Sequence, residues 1–317
     1  MNNNKKISIY EMILRDGLQS LPIVLELDTK ILIYKKIILT GISNIEFGST
    51  TSSKLLTQMK DSFEFFDNIL ELDLNLNLNL NNFILCTSKN GLINSINKNI
   101  KNYSLVYSLC DIFGIKNLKK TFEQSFNELL EQLEIIKLSN FNKIRIYISS
   151  SFGSIFTSND DILIKNFTMS LNKIYQFILD NKIQFNRFDI VFADTFGLAN
   201  ENDFDNNKNI IKYLELVKEI FPSDIFDYIS LHLHLDNSNT NIINNLIDIG
   251  LNYSIKKYDS SICGIGGCPF GDLRNLKGNI STSYLVKYLN SKGFELDIDL
   301  DKLELLDKDI HKIIFNK

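Results

Sequence analysis

A chain of 317 residues with 44% hydrophobic side chains can bury a large core, and one barrel-sized domain over 1–317 is expected. A net charge of −4, with Lys and Arg scattered, excludes a nucleic-acid surface, and four cysteines exclude a disulfide framework. The polar start Met1–Lys6 carries no leader pattern and no apolar run is long enough to span a membrane, so a cytoplasmic protein without membrane partners is expected.

Taken in chain order, the first strand is predicted over Ile7–Met12 and leads into Arg15-Asp16-Gly17-Leu18-Gln19. A helical pattern follows over Thr29–Thr40, then a second strand, Asn44–Ser49, that contains Glu46. The run Leu72 to Asn82 alternates Leu and Asn and could mimic a strand, but reads as a helix end and loop. Strands three to six are predicted over Phe83–Thr87, Ser104–Leu109, Lys143–Ser149 and Phe188–Asp194, with helices over Thr121–Leu138, Asp160–Leu179 and Asp203–Ile220. The seventh strand, Tyr228–Leu235, holds two of the three histidines, and a helix over Thr240–Ile249 separates it from the eighth, Ser254–Ile262. Thr282 to Lys317 reads as the eighth helix plus a C-terminal helical extension.

Eight strands alternating with helices point to a (β/α)8 TIM barrel. The rival, an open doubly wound sheet, needs a glycine-rich turn after its first strand. That turn is absent here, and Gly264-x-Gly266 has Pro269 where a third glycine belongs.

Barrel active sites lie at the C-terminal ends of the strands. His232 and His234 are two apart on a strand, so both imidazoles face one side and can share a metal ion. Strands seven, eight and one are neighbours in a closed barrel, which brings Asp16 and Asn279 to the same rim. One carboxylate, one amide oxygen and two imidazoles leave open positions in an octahedral shell, a mix suited to Mg²⁺ or Mn²⁺ with a chelating substrate. Arg15 beside them can neutralise an enolate or a carbonyl oxygen. Glu46 and Asp194 are rim carboxylates that can orient Arg15 or a histidine, or cap a helix. Cys268 sits among Gly266, Gly267 and Pro269, where a thiol can act in proton transfer or close over a substrate. Cys86, Cys110 and Cys263 are expected in the core.

These residues resemble the 3-hydroxy-3-methylglutaryl-CoA lyase family of metal-dependent lyase and aldolase barrels. Arg15-Asp16-Gly17-Leu18-Gln19, Ile45-Glu46, Asp194-Thr195-x-Gly197, His232-x-His234, Asp259-Ser260-Ser261 through Gly266-Gly267-Cys268-Pro269, and Gly278-Asn279 carry the resemblance in order. It implies a divalent metal at Asp16, His232, His234 and Asn279. Arg15, Cys268, His232 and Asp194 would serve catalysis, and Gln19 and Glu46 would support the site or the substrate. It also implies an acyl-CoA substrate, a homodimer, and retro-Claisen cleavage of 3-hydroxy-3-methylglutaryl-CoA to acetyl-CoA and acetoacetate. The chain departs from the family's pattern in the residues after strand one, in thin glycine use elsewhere, and at two further places. Leu235 follows the second histidine where the family has Asp, with Asp236 one residue later. Ser149 to Phe156 replaces a Cys-rich loop. A lyase acting on another hydroxyacyl-CoA or 2-oxo acid, or a barrel kept only for binding, are the competing expectations.

Overall fold

A computed structural model describes residues 6–76, 80–157, 160–200, 209–267 and 277–315, without the side chains of 73–76 and 160. Eight strands run parallel: β1 (Ser8–Glu11), β2 (Asn44–Ser49), β3 (Asn81–Cys86), β4 (Asn102–Ser108), β5 (Lys143–Ser149), β6 (Phe188–Asp194), β7 (Ile229–Leu235) and β8 (Lys257–Ser260). Each hydrogen-bonds its neighbour in sequence, and β8 pairs with β1, so the sheet closes into the expected TIM barrel. The helices between strands are α1 (Leu27–Ile38), α2 (Ser62–Leu76), α3 (Lys89–Asn97), α4 (Asp111–Leu118), α5 (Phe122–Lys137), α6 (Asp160–Asp180), α7 (Ile210–Ile220) and α8 (Thr240–Asn252). A two-residue strand, β9 (Gly278–Asn279), then precedes α9 (Thr282–Ser291) and the terminal α10 (Leu300–Phe315).

Alternation along the strands explains the closure. In β7 the odd positions are Ile229, Leu231, Leu233 and Leu235, and the even ones are Ser230, His232 and His234. In β5 Ile144, Ile146 and Ile148 alternate with Lys143, Arg145, Tyr147 and Ser149. The apolar set joins the main core, between strands and helices. Burying each such side chain is worth about 1.5–3 kcal/mol. The opposite set points into the barrel, where Leu85, Tyr147, Val191 and Ala193 form a separate small cluster.

Several local expectations shift. α2 runs to Leu76 and β3 begins at Asn81, so Leu72–Asn82 does contain a helix end, although residues 77–79 lie outside the described residues. α5 begins where predicted because Thr121 and Gln124 form a reciprocal capping box. The helix expected from Asp203 is described only from Ile210, capped by Asn209 Oδ1 on the Ile211 and Lys212 amides, and 201–208 fall outside the description. The eighth strand is only four residues long. Cys263, expected in the core, sits half-buried against the edge of it, on a turn with φ of 60°. Its amide donates to Asp307 Oδ1 at 2.8 Å, which ties the turn to α10. Cys86 and Cys110 are buried as expected.

Glu11, at the end of β1, is fully buried. Its carboxylate accepts the Ile13 amide (2.9 Å), the Ile262 amide (3.0 Å) and the Thr282 hydroxyl (2.6 Å), which joins the turn after β1, the loop after β8 and the start of α9. Burial pushes this carboxyl up to about 7, against the three hydrogen bonds that favour its charged form. The folded value lies above the unfolded one, so the folded chain binds the extra proton, and that stability is lost as pH rises through about 7. Glu11→Gln keeps the shape and cannot ionise. Its stability relative to the parent is expected to rise by of order 1–3 kcal/mol between about pH 5 and about pH 8. Urea unfolding at the two pH values measures this, and a constant difference would contradict it.

Candidate active site

The turn after β1 is wide. Gly17 N–H reaches back to Met12 O at 3.0 Å, forming a π-type turn over Ile13–Gly17. Asp16 therefore does not cap a helix; the turn carries Arg15 and Asp16, both buried, to the rim of the barrel. β9 runs antiparallel to β7 with Asn279 opposite His234, so the chain returning after β8 delivers the amide beside the second histidine. Ligand atoms of Asp16, His232 and His234 all lie within 4.8 Å of one another. Asn279 Nδ2 sits 2.7 Å from Asp16 Oδ2. All four residues predicted for the metal thus converge.

Their chemistry fits a cation. His234 Nδ1 faces the Thr195 carbonyl at 3.2 Å and His232 Nδ1 faces Asp259 Oδ2 at 3.0 Å. Both acceptors fix the proton on Nδ1 and leave each Nε2 with a lone pair. His234 Nε2 lies 3.4 Å from Asp16 Oδ2, an approach of two acceptors that calls for positive charge between them. His234 Nε2 and the buried Asn279 Oδ1 make no hydrogen bond among the described residues. A half-turn of the Asn279 amide exchanges its oxygen and nitrogen, so the oxygen can face a cation beside Asp16. Burial opposes charge on both imidazoles. It holds His232 below its ordinary value, whereas contact with Asp16 outweighs it at His234 and raises that group. Burial likewise opposes charge on Asp16, but Arg15 and the histidines hold its carboxyl well below the usual range.

Gly266, with φ of +147°, lies against this cluster. A Cβ there would collide with Asn279 Nδ2 and come within 2.7 Å of Asp16 Oδ2, so only glycine allows the loop so close. The next amide, Gly267 N–H, donates to Asp16 Oδ2 at 3.2 Å. Cys268 itself lies outside the described residues.

Arg15 forms an ion pair through Nε with Glu46 Oε1, and its Nη1 is 2.6 Å from Asp16 Oδ1. Glu46 thus orients Arg15, as expected for a rim carboxylate, and itself accepts from the Ser104 hydroxyl and from Tyr147 Oη at 3.1 Å. Gln19 Nε2 donates to Asp16 Oδ1 at 2.5 Å. Asp194, expected among the reacting groups, has the opposite parity to inward-facing Ala193. Its oxygens accept the Leu198 (2.7 Å) and Ala199 (3.0 Å) amides, and burial pushes its carboxyl up to about 6. In the structure it holds the loop whose Thr195 carbonyl orients His234. Asp236 is exposed and bonds Ser238, so it does not replace the acid missing after His234. The serine-rich loop is knitted to β6: Ser149 Oγ and Ser150 N both meet Thr195 Oγ1, at 2.8 and 2.9 Å.

Sequence reading missed Arg145 and Tyr147 and gave Asp259 no role of its own, yet these three underlie the site. The signal was present in Lys143-Ile144-Arg145-Ile146-Tyr147-Ile148, where polar residues at every second position in a strand mark an inward-facing charged stripe. A cavity of about 450 Å³ opens from Arg15, Asp16, His232 and His234 and runs past Leu85, Val106 and Phe113 to Lys119 and Lys120.

Two imidazoles, a carboxylate and a buried guanidinium meet at the C-terminal rim of a (β/α)8 barrel, the end where barrel enzymes build their active sites, in an arrangement that could hold a metal ion. The chain belongs to the HMGL-like family, whose model matches residues 6–310. That membership places it among lyases that break carbon–carbon bonds. It is 24% identical over 301 residues to the mitochondrial hydroxymethylglutaryl-CoA lyase of Arabidopsis thaliana, covering 94% of this chain and 58% of that one. It is 25% identical over 299 residues to a hydroxymethylglutaryl-CoA lyase of Bacillus subtilis, with 94% and 90% covered. Among solved structures, the Bacillus subtilis HMG-CoA lyase superposes with a TM-score of 0.79 at 24% identity, over 99% of this chain and 95% of that one. The Acinetobacter baumannii HMG-CoA lyase in complex with coenzyme A and 3-methylmalate gives 0.80 at 23% identity, over 99% and 93%. No helix among the described residues is long and apolar enough to cross a membrane.

Proposed function

We propose that this chain cleaves 3-hydroxy-3-methylglutaryl-CoA to acetyl-CoA and acetoacetate, with Mg²⁺ or Mn²⁺ held by Asp16, His232, His234 and Asn279. The convergence of these four side chains beside Arg15 carries the reading. When bound, the cation would supply Lewis-acid polarisation of the substrate's tertiary hydroxyl and a fixed chelate. The chain's own groups do the rest. Transfer of the hydroxyl proton to the Cys268 thiolate lets a carbonyl form at C3 as the C2–C3 pair moves into the thioester enolate, and the thiol then holds the proton that the enolate carbon needs. Arg15, held by Glu46 and Asp16, faces the negative charge that develops there. Protonation of the enolate carbon completes acetyl-CoA. Imidazoles whose Nε2 atoms serve as metal ligands have no free nitrogen facing that proton, which favours the Cys268 thiol over His232 for the transfer. Gln19 and Glu46 steady Asp16 and Arg15, and Asp194 acts through the Thr195 loop. The cavity that Arg15, Asp16 and both histidines share with Lys119 and Lys120 suits a CoA thioester, whose phosphates those lysines can meet. A homodimer in the cytoplasm belongs to the same reading; sedimentation and cell fractionation check it.

Purified protein supplied with Mn²⁺ and 3-hydroxy-3-methylglutaryl-CoA is expected to release acetoacetate, and chelator is expected to abolish the release. Metal binding without acetoacetate would move the substrate to another hydroxyacyl-CoA or a 2-oxo acid. Absence of metal binding would favour a barrel kept for binding. Cys268→Ser is expected to lower kcat by about 10²-fold or more with Mn²⁺ affinity unchanged, since it removes a proton donor but no ligand. Unchanged turnover would remove the thiol from the mechanism.

A further inference from the structure

Arg145 is the largest fully buried side chain of the barrel, and its nitrogens divide between the two arms of the site. Nη2 pairs with Asp259 Oδ1, while Nη1 donates to Tyr147 Oη at 2.9 Å. Asp259 Oδ2 takes His232 Nδ1 at 3.0 Å and lies 3.0 Å from Tyr147 Oη, whose one proton it shares as an acceptor with Glu46. Tyr147 Oη also lies 3.1 Å from Glu46 Oε2, and Glu46 holds Arg15. From below, the guanidinium stacks 3.8 Å from the Tyr10 ring centroid, and its Nε is 4.0 Å from Asp189 Oδ2. Asp189 is in turn paired with Lys143 and Lys257. A bonded chain therefore runs from Arg145 to His232 on one side and to Arg15 on the other, while Asp189 below meets the guanidinium through charge and not through a hydrogen bond.

We propose that Arg145 is a positioning residue that holds His232 through Asp259, and Glu46 and Arg15 through Tyr147. It fixes Asp259 so that its second oxygen takes the Nδ1 proton and turns Nε2 toward Asp16. This rests on the proposal that a cation binds between Asp16, His232 and His234.

The experiment measures Mn²⁺ affinity of the metal-stripped full-length chain by electron paramagnetic resonance, with circular dichroism as the check on folding. Asp259→Asn keeps the shape, loses the charge and aims an NH₂ at either Arg145 or His232. It is expected to bind Mn²⁺ about 10–100-fold more weakly, the usual cost of losing a carboxylate behind a metal-bound histidine. Arg145→Met is expected to show a loss of the same size. The double variant should be no weaker than the weaker single one, because the two act in series. Where Arg145→Met does not fold, Arg145→Lys takes its place; it keeps the charge without the fork and is expected to lose affinity in the same direction. Parental affinity in folded Asp259→Asn, or losses that multiply in the double variant, would overturn the inference. The substrate reading is scored separately: acetoacetate release by the parent protein stands or falls independently of these affinities.

Discussion

Replacing Arg15 by Met is expected to lower kcat by about 10²–10³-fold while the chain still binds Mn²⁺, the scale seen when one preorganised stabiliser of a developing oxyanion is removed. Asp16 keeps Gln19, Asn279 and the Gly267 amide as partners in that variant, so the ligand set persists. Stability should suffer too. Glu46 is completely buried and loses the cation it is paired with, and stranding one member of a buried ion pair costs about 3–5 kcal/mol. Arg15→Lys separates the two effects. Its ammonium can still neutralise Glu46, but it cannot bridge Glu46 and Asp16 with a planar fork, so stability should largely return and turnover should not. Steady-state kinetics with excess Mn²⁺, together with urea midpoints, measure both. A kcat for Arg15→Met near that of the parent would remove the guanidinium from the chemistry.

Asp16→Asn is the second large effect. The substitution preserves shape, but it removes the charge that faces Arg15, His234 and Asn279. Turnover is expected to fall to background. With Mn²⁺ at about 100 times its Kd the parent should gain about 2.7 kcal/mol of stability by mass action, and the variant none. Thermal unfolding with and without Mn²⁺ reads this directly. The parent's own metal affinity should weaken as pH falls through the titration of His234. Contact with Asp16 outweighs burial and raises that imidazole, so protons compete with the cation for Nε2. An equal metal-induced gain in parent and variant would place the cation elsewhere.

The barrel was legible because its strands alternate clearly: Leu-His-Leu-His-Leu in β7 admits one orientation with both imidazoles inward. Asp16, Arg15 and Asn279 were legible through sequence order alone, since strands seven, eight and one must be neighbours once the sheet closes. The wide turn at Ile13–Gly17 was not, because a π-type turn and an ordinary helix start share a local sequence. β9 escaped for a related reason. Two residues carry no periodicity, and their strand character comes only from pairing with His234 and Leu235. The side of the sheet on which Asp194 lies turns on one position of parity. Rim carboxylates look alike in sequence, and alternation through Ala193 decides which one enters the barrel. Arg145, Tyr147 and Asp259 depend on contacts more than a hundred residues apart, for which only the polar stripe in β5 gave a hint.

The bond between Asn279 and Asp16 joins residues 263 positions apart. A growing chain holds Asp16 from its first turn onward but gains its last metal-facing partner only after all eight strands have been synthesised. Under the proposed function, metal loading would be a late event in the life of the polypeptide, and it would report on the seam between β1 and β8 rather than on the barrel as a whole. Opening that seam alone would part Asp16 from the ligands on β7 and β9, so release of the ion should precede loss of helical signal on gentle unfolding.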